Sequence, residues 1–173
     1  YIATGNFTVT FADTIASIGN NMFRDNAHLN GDVILTNVRS IGEYAFYGCI
    51  ALDSMDADSV TSLGEHVFEG CSTLSAVSLD ALQSVSDYTF KDCESLLTVD
   101  LLSVKAIGSY SFQNSGVKKV NSNDHVNLEN VTSVGDYAFA GCTALESVSI
   151  PQSVVAINYQ AFLGTALKSV TIP

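Results

Sequence analysis

The chain has 173 residues, 47% of them apolar, and eighteen acids against seven bases give a net charge of −11. That balance argues against nucleic acid as a partner, because phosphate binding needs clustered Lys and Arg. No stretch approaches the ~18 unbroken apolar residues of a membrane span.

At the N-terminus Phe7-Thr8-Val9-Thr10-Phe11 alternates apolar and polar residues as a half-buried strand does, and Ile15 and Ile18 complete the back half of a repeat. A short motif then recurs: an aliphatic residue, Gly or a similar residue, two polar positions, a small one, and Phe. It reads Ile41-Gly42-Glu43-Tyr44-Ala45-Phe46, then Leu63-Gly64-Glu65-His66-Val67-Phe68, and it returns as far as Ile157-Asn158-Tyr159-Gln160-Ala161-Phe162. The phenylalanines fall at 23, 46, 68, 90, 112, 139 and 162, in steps of 23, 22, 22, 22, 27 and 23 residues. A fixed period of about 20–29 residues marks a solenoid, in which stacked units share one continuous core. Residues 1–173 therefore read as a single repeat domain. The chain opens on Tyr1 in mid-repeat without a signal peptide, and it stops partway through another repeat, so it reads as a piece of a longer protein.

The third repeat shows the elements most clearly. In Leu74-Ser75-Ala76-Val77-Ser78-Leu79, Val77 and Leu79 point to one face and Ala76 and Ser78 to the other, the signature of a strand. Leu82 and Val85 follow at three-residue steps and lead into the next Phe motif. The motif itself reads as a short helical corner. Gly19, Gly42, Gly64, Ser86, Gly108, Gly135 and Asn158 stand at the N-cap position, and Glu43, Glu65, Asp87 and Asp136 suit the positive end of a helix dipole. Two residues after Phe come Asp25, Gly48, Gly70, Asp92, Asn114, Gly141 and Gly164, which tolerate the left-handed geometry of a helix end.

Two irregularities interrupt the period. The first repeat has a one-residue excess at 29–33. The fifth is longer by about five residues around Val120–Val126, and its main strand is either Val117–Ser122 or Val126–Leu128. Insertions in solenoids often mark the binding side.

The four cysteines at 49, 71, 93 and 142 each lie three residues after a repeat Phe, where other repeats have Asn26, Ser115 and Thr165. Such a slot is small, buried and weakly polar, and reduced Cys suits it. A disulfide between neighbouring rungs and a metal site are the alternatives, and the lack of a Cys-x-x-Cys pair weighs against metal.

With these residues in view, the chain resembles the BspA-like leucine-rich repeats, also called the Treponema pallidum type. Val134-Gly135-Asp136-Tyr137-Ala138-Phe139-Ala140-Gly141-Cys142, continuing through Leu145, Val148, Ile150 and Pro151, carries nearly all of that family's repeat. The likeness runs from about Ile18 to Pro173, and departures such as Ser86 and Asn158 for Gly are local. The resemblance implies a leucine-rich repeat solenoid of about seven repeats, with a parallel ladder on its concave face. It also implies a large surface or secreted bacterial protein, several relatives of which bind host extracellular-matrix proteins or other bacteria. No functional residue of that family is held in a motif.

The expected function is accordingly a non-catalytic recognition module of the cell surface or extracellular space, for adhesion or for binding a protein or glycan. A passive structural spacer is the alternative. No cofactor or metal is expected. Asp53, Asp56 and Asp58 have Ca²⁺-suited oxygens but lack a ligand loop, and read as a solvated acidic face. Candidate partner contacts on the concave face and at the insertion are Asp56, Asp100, Lys118, Lys119, Asn121, Asn123, Asp124 and His125. Tyr88 and Tyr110 belong to a second ladder two residues before Phe (Asn21, Tyr44, His66, Tyr88, Tyr110, Tyr137, Gln160), which reads either as edge packing or as an aromatic stripe for a glycan or protein. His28, His66 and His125 fall in different repeats, so no nucleophile–base pair is evident.

Overall fold

The structure, a computed structural model, describes residues 5–120 and 126–171. In chain order its strands are β1 (Ser17–Ile18), β2 (Gly31–Ile34), β3 (Ser40–Ile41), β4 (Leu52–Asp56), β5 (Ser62–Leu63), β6 (Ala76–Ser78), β7 (Ser84–Val85), β8 (Thr98–Asp100), β9 (Ala106–Ile107), β10 (Lys119–Val120), β11 (Val126–Asn127), β12 (Ser133–Val134), β13 (Ser147–Ser149), β14 (Ala156–Ile157) and β15 (Ser169–Thr171). They form a parallel solenoid of about seven turns. One face is an eight-stranded sheet in the order β15-β13-β11-β10-β8-β6-β4-β2, and a second is built from the two-residue strands β1-β3-β5 and β14-β12-β9-β7.

The one-residue excess near Leu29 becomes a register shift between Gly31 and Asp32, with Gly31 at φ 79°. Of the expected strand over Phe7–Phe11 the structure shows a single bridge, Phe7 with Leu29, just before the register shift of β2. At the fifth repeat both candidate segments contribute. β10 pairs with β8 (Val120↔Val99), β11 with β13 (Val126↔Val148), and the two pair with each other (Val120↔Val126). On the second face β12 pairs directly with β9 (Ser133↔Ala106), so the extra length is taken up on the strand face alone.

The inward positions form one core. Val33, Met55, Val77, Val99, Val126 and Val148 are buried along the strands, and Phe46, Phe68, Phe90, Phe112 and Phe139 are fully buried at the corners. Successive Phe rings from Phe23 to Phe162 stack with centroids 5.1–5.6 Å apart. Burying each such ring stabilises the fold by roughly 1.5–3 kcal/mol.

The helical corner does not form. Among the described residues there is no helix; the motif is a pair of tight turns. Asn21, Tyr44, His66, Tyr88, Tyr110, Tyr137 and Gln160 all sit at φ 50–59°, a left-handed conformation that ends a right-handed helix inside the motif. The second left-handed site, two residues after Phe, is where the sequence places it, from Asp25 (φ 56°) to Gly164 (φ 69°). Amides then alternate in direction. Those of Tyr44, Phe46 and Gly48 donate to Glu65, Val67 and Glu69 of the next rung at 2.9–3.1 Å, while Ala45, Tyr47 and Cys49 close turns onto Gly42, Tyr44 and Phe46. Hydrogen bonds between rungs thus satisfy groups that a helix would have used internally.

With no helix present, the supposed N-caps have other work. A Cβ on Gly64 would lie 2.4 Å from the Glu43 nitrogen, and one on Gly135 would lie 2.6 Å from that of Ser109, so these glycines allow rungs to touch. The acids beside them cap the following rung instead: Asp87 Oδ1 accepts the Ser109 amide at 2.7 Å, and Asp136 Oδ1 accepts that of Tyr159 at 3.0 Å. No helix among the described residues is long and apolar enough to cross a membrane.

Candidate functional site

Two surfaces carry aligned side chains. On the strand face, parallel register stacks equivalent positions about 4.8 Å apart. One row reads Asp32, Ser54, Ala76, Thr98 and Lys119, and another reads Ile34, Asp56, Ser78 and Asp100. Asn127 aligns with Ser149 beyond β10. The strand segments of the first four rungs hold Asp32, Asp53, Asp56, Asp58, Asp80 and Asp100 and no base. At Asp80 partial burial, and then the nearby carboxylates of Asp58, Asp100 and Asp56, hold the carboxyl above its ordinary range. Serines soften the crowding: Ser54 Oγ donates to Asp32 at 2.6 Å, and Ser78 Oγ donates to Asp58.

Polarity changes at β10. Lys118 is exposed, and its amide reaches back to Leu97 at 3.1 Å. Further on, Lys168 pairs with Glu146 at 3.0 Å, and that hydrogen bond and charge hold the Glu146 carboxyl below its usual range, with Lys118 adding to the effect.

The corner surface carries the second ladder. Tyr44, His66, Tyr88, Tyr110 and Tyr137 stack nearly parallel, with centroid separations of 4.5, 4.4, 4.9 and 5.0 Å. Each inner ring uses both faces on its neighbours, leaving only edges toward solvent. The Arg24 guanidinium covers one end, 4.7 Å from the Tyr44 ring and 4.9 Å from Tyr47. Beside the ladder runs a polar chain: Glu69 pairs with His66 Nδ1 and accepts Lys91 Nζ at 2.8 Å, and Lys91 lies 3.2 Å from Asp92. The hydrogen bond to Glu69 raises the Lys91 ammonium above its ordinary value.

All four cysteines are buried free thiols. Cys49, Cys71, Cys93 and Cys142 donate to the carbonyls of Phe23, Phe46, Phe68 and Phe112, each one rung back, at 3.0–3.1 Å. Burial pushes Cys49 up to about 12 and Cys142 up to about 11, both well above an ordinary thiol. Among the described residues, no group of three or more His, Cys, Asp or Glu is disposed to hold a metal ion.

The residues singled out in the sequence therefore divide between surfaces. Asp56 and Asp100 end strands β4 and β8 on the strand face; Lys119 opens β10, the strand next to β8, and Lys118 immediately precedes it. Tyr88 and Tyr110 lie on the corner. Asn121, Asn123, Asp124 and His125 lie outside the described residues. Sequence reasoning missed Asp80 and Arg24. Asp80 stands just after β6, where periodicity gives no sign that it crowds other carboxylates, and Arg24 meets Tyr44 only across a rung.

Comparison with known proteins agrees with this geometry. The model of the BspA type leucine rich repeat region matches residues 5–119 and 107–173, in six copies. No protein of curated function matches the sequence. A leucine-rich repeat protein from Eubacterium ventriosum superposes with a TM-score of 0.79 at 24% identity, over 99% of this chain and 45% of that one. The Treponema pallidum leucine rich repeat protein gives 0.63 at 24% identity over 82% and 73% of the two chains. A leucine rich cell surface protein from Faecalibacterium prausnitzii gives 0.54 at 23% identity over 96% and 53%. The chain thus spans under half the length of the Eubacterium protein.

Proposed function

Since this chain belongs to the BspA-type leucine-rich repeat family, we propose that it is a non-catalytic recognition module of a cell-surface or extracellular protein, binding a protein partner across its strand face. The observation that carries this reading is the eight-stranded sheet, with acids along the segments of its first four strands in chain order and Lys118 and Lys119 at the start of β10. A surface that changes sign along its length favours a partner with the opposite arrangement, since charge complementarity guides encounter and orientation. The insertion residues Asn121, Asn123, Asp124 and His125 are proposed as further contacts, and host extracellular-matrix proteins as the partner class.

Protein is favoured over glycan by the corner ladder. Sugar rings stack on exposed aromatic faces, whereas Tyr88 and Tyr110 turn theirs onto each other and onto their neighbours. Their proposed part is at most edge contact through the hydroxyls.

An array of matrix proteins and glycans probed with the 173-residue chain tests this reading. Binding to a protein should weaken when Asp56 and Asp100 are changed together to Lys, and separately when Lys118 and Lys119 are changed together to Glu. Binding untouched by either pair would move the site off the strand face. No binding at all would favour a passive spacer.

A further inference from the structure

The second face differs in charge from the rest of the surface. The turns leading into its strands, from β3 to β14, occupy 37–40, 59–62, 81–84, 103–106, 130–133 and 153–156. None of the chain's eighteen acids lies in these segments, although Asp80 and Glu129 shortly precede two of them. They hold Arg39 and Lys105 instead. Lys91 and Lys168 each pair with an acid, whereas among the described residues no acid pairs with Lys105.

Lys105 lines a depression of about 390 Å³ together with Gln83, Leu102, Ser103, Asn130 and Thr132. That volume falls within the range of roughly 300–1,000 Å³ for small-molecule sites. Ser84, Ala106 and Ser133 align, so the residues just before them, Gln83, Lys105 and Thr132, stand on successive rungs in the middle of the stack. The walls are held in place: Thr132 Oγ1 donates to the Lys105 carbonyl at 3.0 Å, and Asn130 Nδ2 donates to that of Leu102 at 2.9 Å. These bonds leave the Asn130 carbonyl oxygen, its second amide hydrogen and the Thr132 lone pairs for a ligand. Gln83 and Ser103 add two more groups that both donate and accept, and Leu102, 52% exposed, adds an apolar contact.

We propose that this depression binds a hexuronate unit of a glycan. The sugar carboxylate meets the Lys105 ammonium. Its ring hydroxyls, which donate and accept, meet Gln83, Ser103, Asn130 and Thr132, and its C–H surface lies on Leu102. A phosphate matches less well, because it calls for an Arg fork or open backbone amides, and the amides of Lys105 and Thr132 are already donated to Gln83 and Lys105. An acidic peptide side chain would leave the neutral groups unmatched, since a carboxylate only accepts. The depression lies on a different sheet from the strand face and apart from the corner ladder, so either surface can fail its test without the other.

Methyl β-glucuronide, its neutral counterpart methyl β-glucoside, and a glutamate capped at both ends are titrated in turn into the isotope-labelled 173-residue chain and followed by amide NMR. The glucuronide should shift the backbone amides of Ser103, Lys105 and Thr132 and the side-chain amides of Gln83 and Asn130. It should bind about tenfold more tightly than the glucoside, the effect of one charge-assisted hydrogen bond. Lys105→Gln should remove that preference. Lys105 is exposed, and a melting curve like the parent's confirms that the variant folds. Equal binding of the two sugars by the parent, or a preference that survives Lys105→Gln, would overturn the proposal. So would a glucuronide that shifts none of these amides, or a capped glutamate that shifts them as strongly, which would assign the site to a peptide carboxylate.

Discussion

The thiol of Cys93 donates to the carbonyl oxygen of Phe68 across 3.0 Å, tying the small polar slot of one rung to the aromatic plug of the rung before. Cys71 repeats the relation with Phe46, and Cys142 with Phe112. Burial both removes these sulfurs from solvent and disfavours their thiolates, the form that reacts. Native protein should therefore resist a thiol reagent even at pH 9, where an ordinary thiol of value 9.0 is about half ionised. All four groups should label only at the rate of unfolding. Prompt labelling of the folded protein, counted by mass spectrometry, would contradict the slot.

Phe90 stacks between Phe68 and Phe112, at 5.4 and 5.2 Å, in the middle of the ladder. Phe90→Ala should cost about 3–5 kcal/mol, the range for large core truncations. Because each rung contacts only its neighbours, the loss should also divide unfolding into two transitions. Urea titration followed by circular dichroism reads both, and a melt identical to the parent's would mean that the ring does not plug the core.

Gly64 and Gly70 separate two uses of glycine. At Gly64 an added Cβ meets Glu43 backbone at 2.4 and 2.8 Å, and no flexible side chain can yield. At Gly70 the nearest atom is 3.9 Å away, and the only obstacle is φ 74°. Gly70→Ala should cost about 1–2 kcal/mol, the strain of one left-handed residue. Gly64→Ala should cost more, and Gly70→Asn should recover part of the loss. Equal melting temperatures for the two alanine variants would refute the close approach.

Tyr88 holds φ 59° while stacked between His66 and Tyr110. Either Tyr88→Gly or Tyr88→Ala removes the ring, but only glycine relaxes the backbone. The glycine variant should be the more stable by about 1 kcal/mol, reversing the usual order for these two residues. Thermal unfolding of the pair is a direct comparison, and an alanine variant as stable as the glycine one would count against the left-handed turn.

Asp80 has a folded-state value above the ordinary 3.8, from partial burial and the carboxylates of Asp58, Asp100 and Asp56. A value raised on folding means that protonation favours the folded chain. Whatever stability Asp80 adds is present at acid pH and lost as pH rises through its folded value. Asp80→Asn should therefore melt higher than the parent at pH 7 in low salt. The gap should close below pH 3.8 and shrink as salt screens the cluster. A gap that stays constant with pH would show that the carboxylates do not interact.

The corner was only half legible in the sequence. Glycine, Asn and Asp two residues after Phe announce left-handed geometry, and Asp25, Gly48 and Asn114 adopt it. Tyr44, Tyr88, Tyr110 and Tyr137 adopt the same geometry two residues before Phe, where their identity gives no such signal. Stacking and hydrogen bonds to the next rung select that conformation, and neither belongs to the local segment. The candidate contacts read similarly. Register could be followed from Asp32 to Lys119 by counting, whereas the crowding at Asp80 depends on how rungs sit beside one another.

What the amino-acid order settled alone is the repeating interior. A period of 22 residues, marked by Phe and followed three residues on by Cys, forces equivalent side chains into register and buries them together. Only the folded stack decided that the corners are paired turns rather than helices, that both Lys119–Val120 and Val126–Asn127 enter the sheet, and that Gly64 serves rung contact. Each depends on distances and hydrogen bonds between residues more than twenty positions apart, or between strands joined through the insertion. Local propensity does not contain those energies.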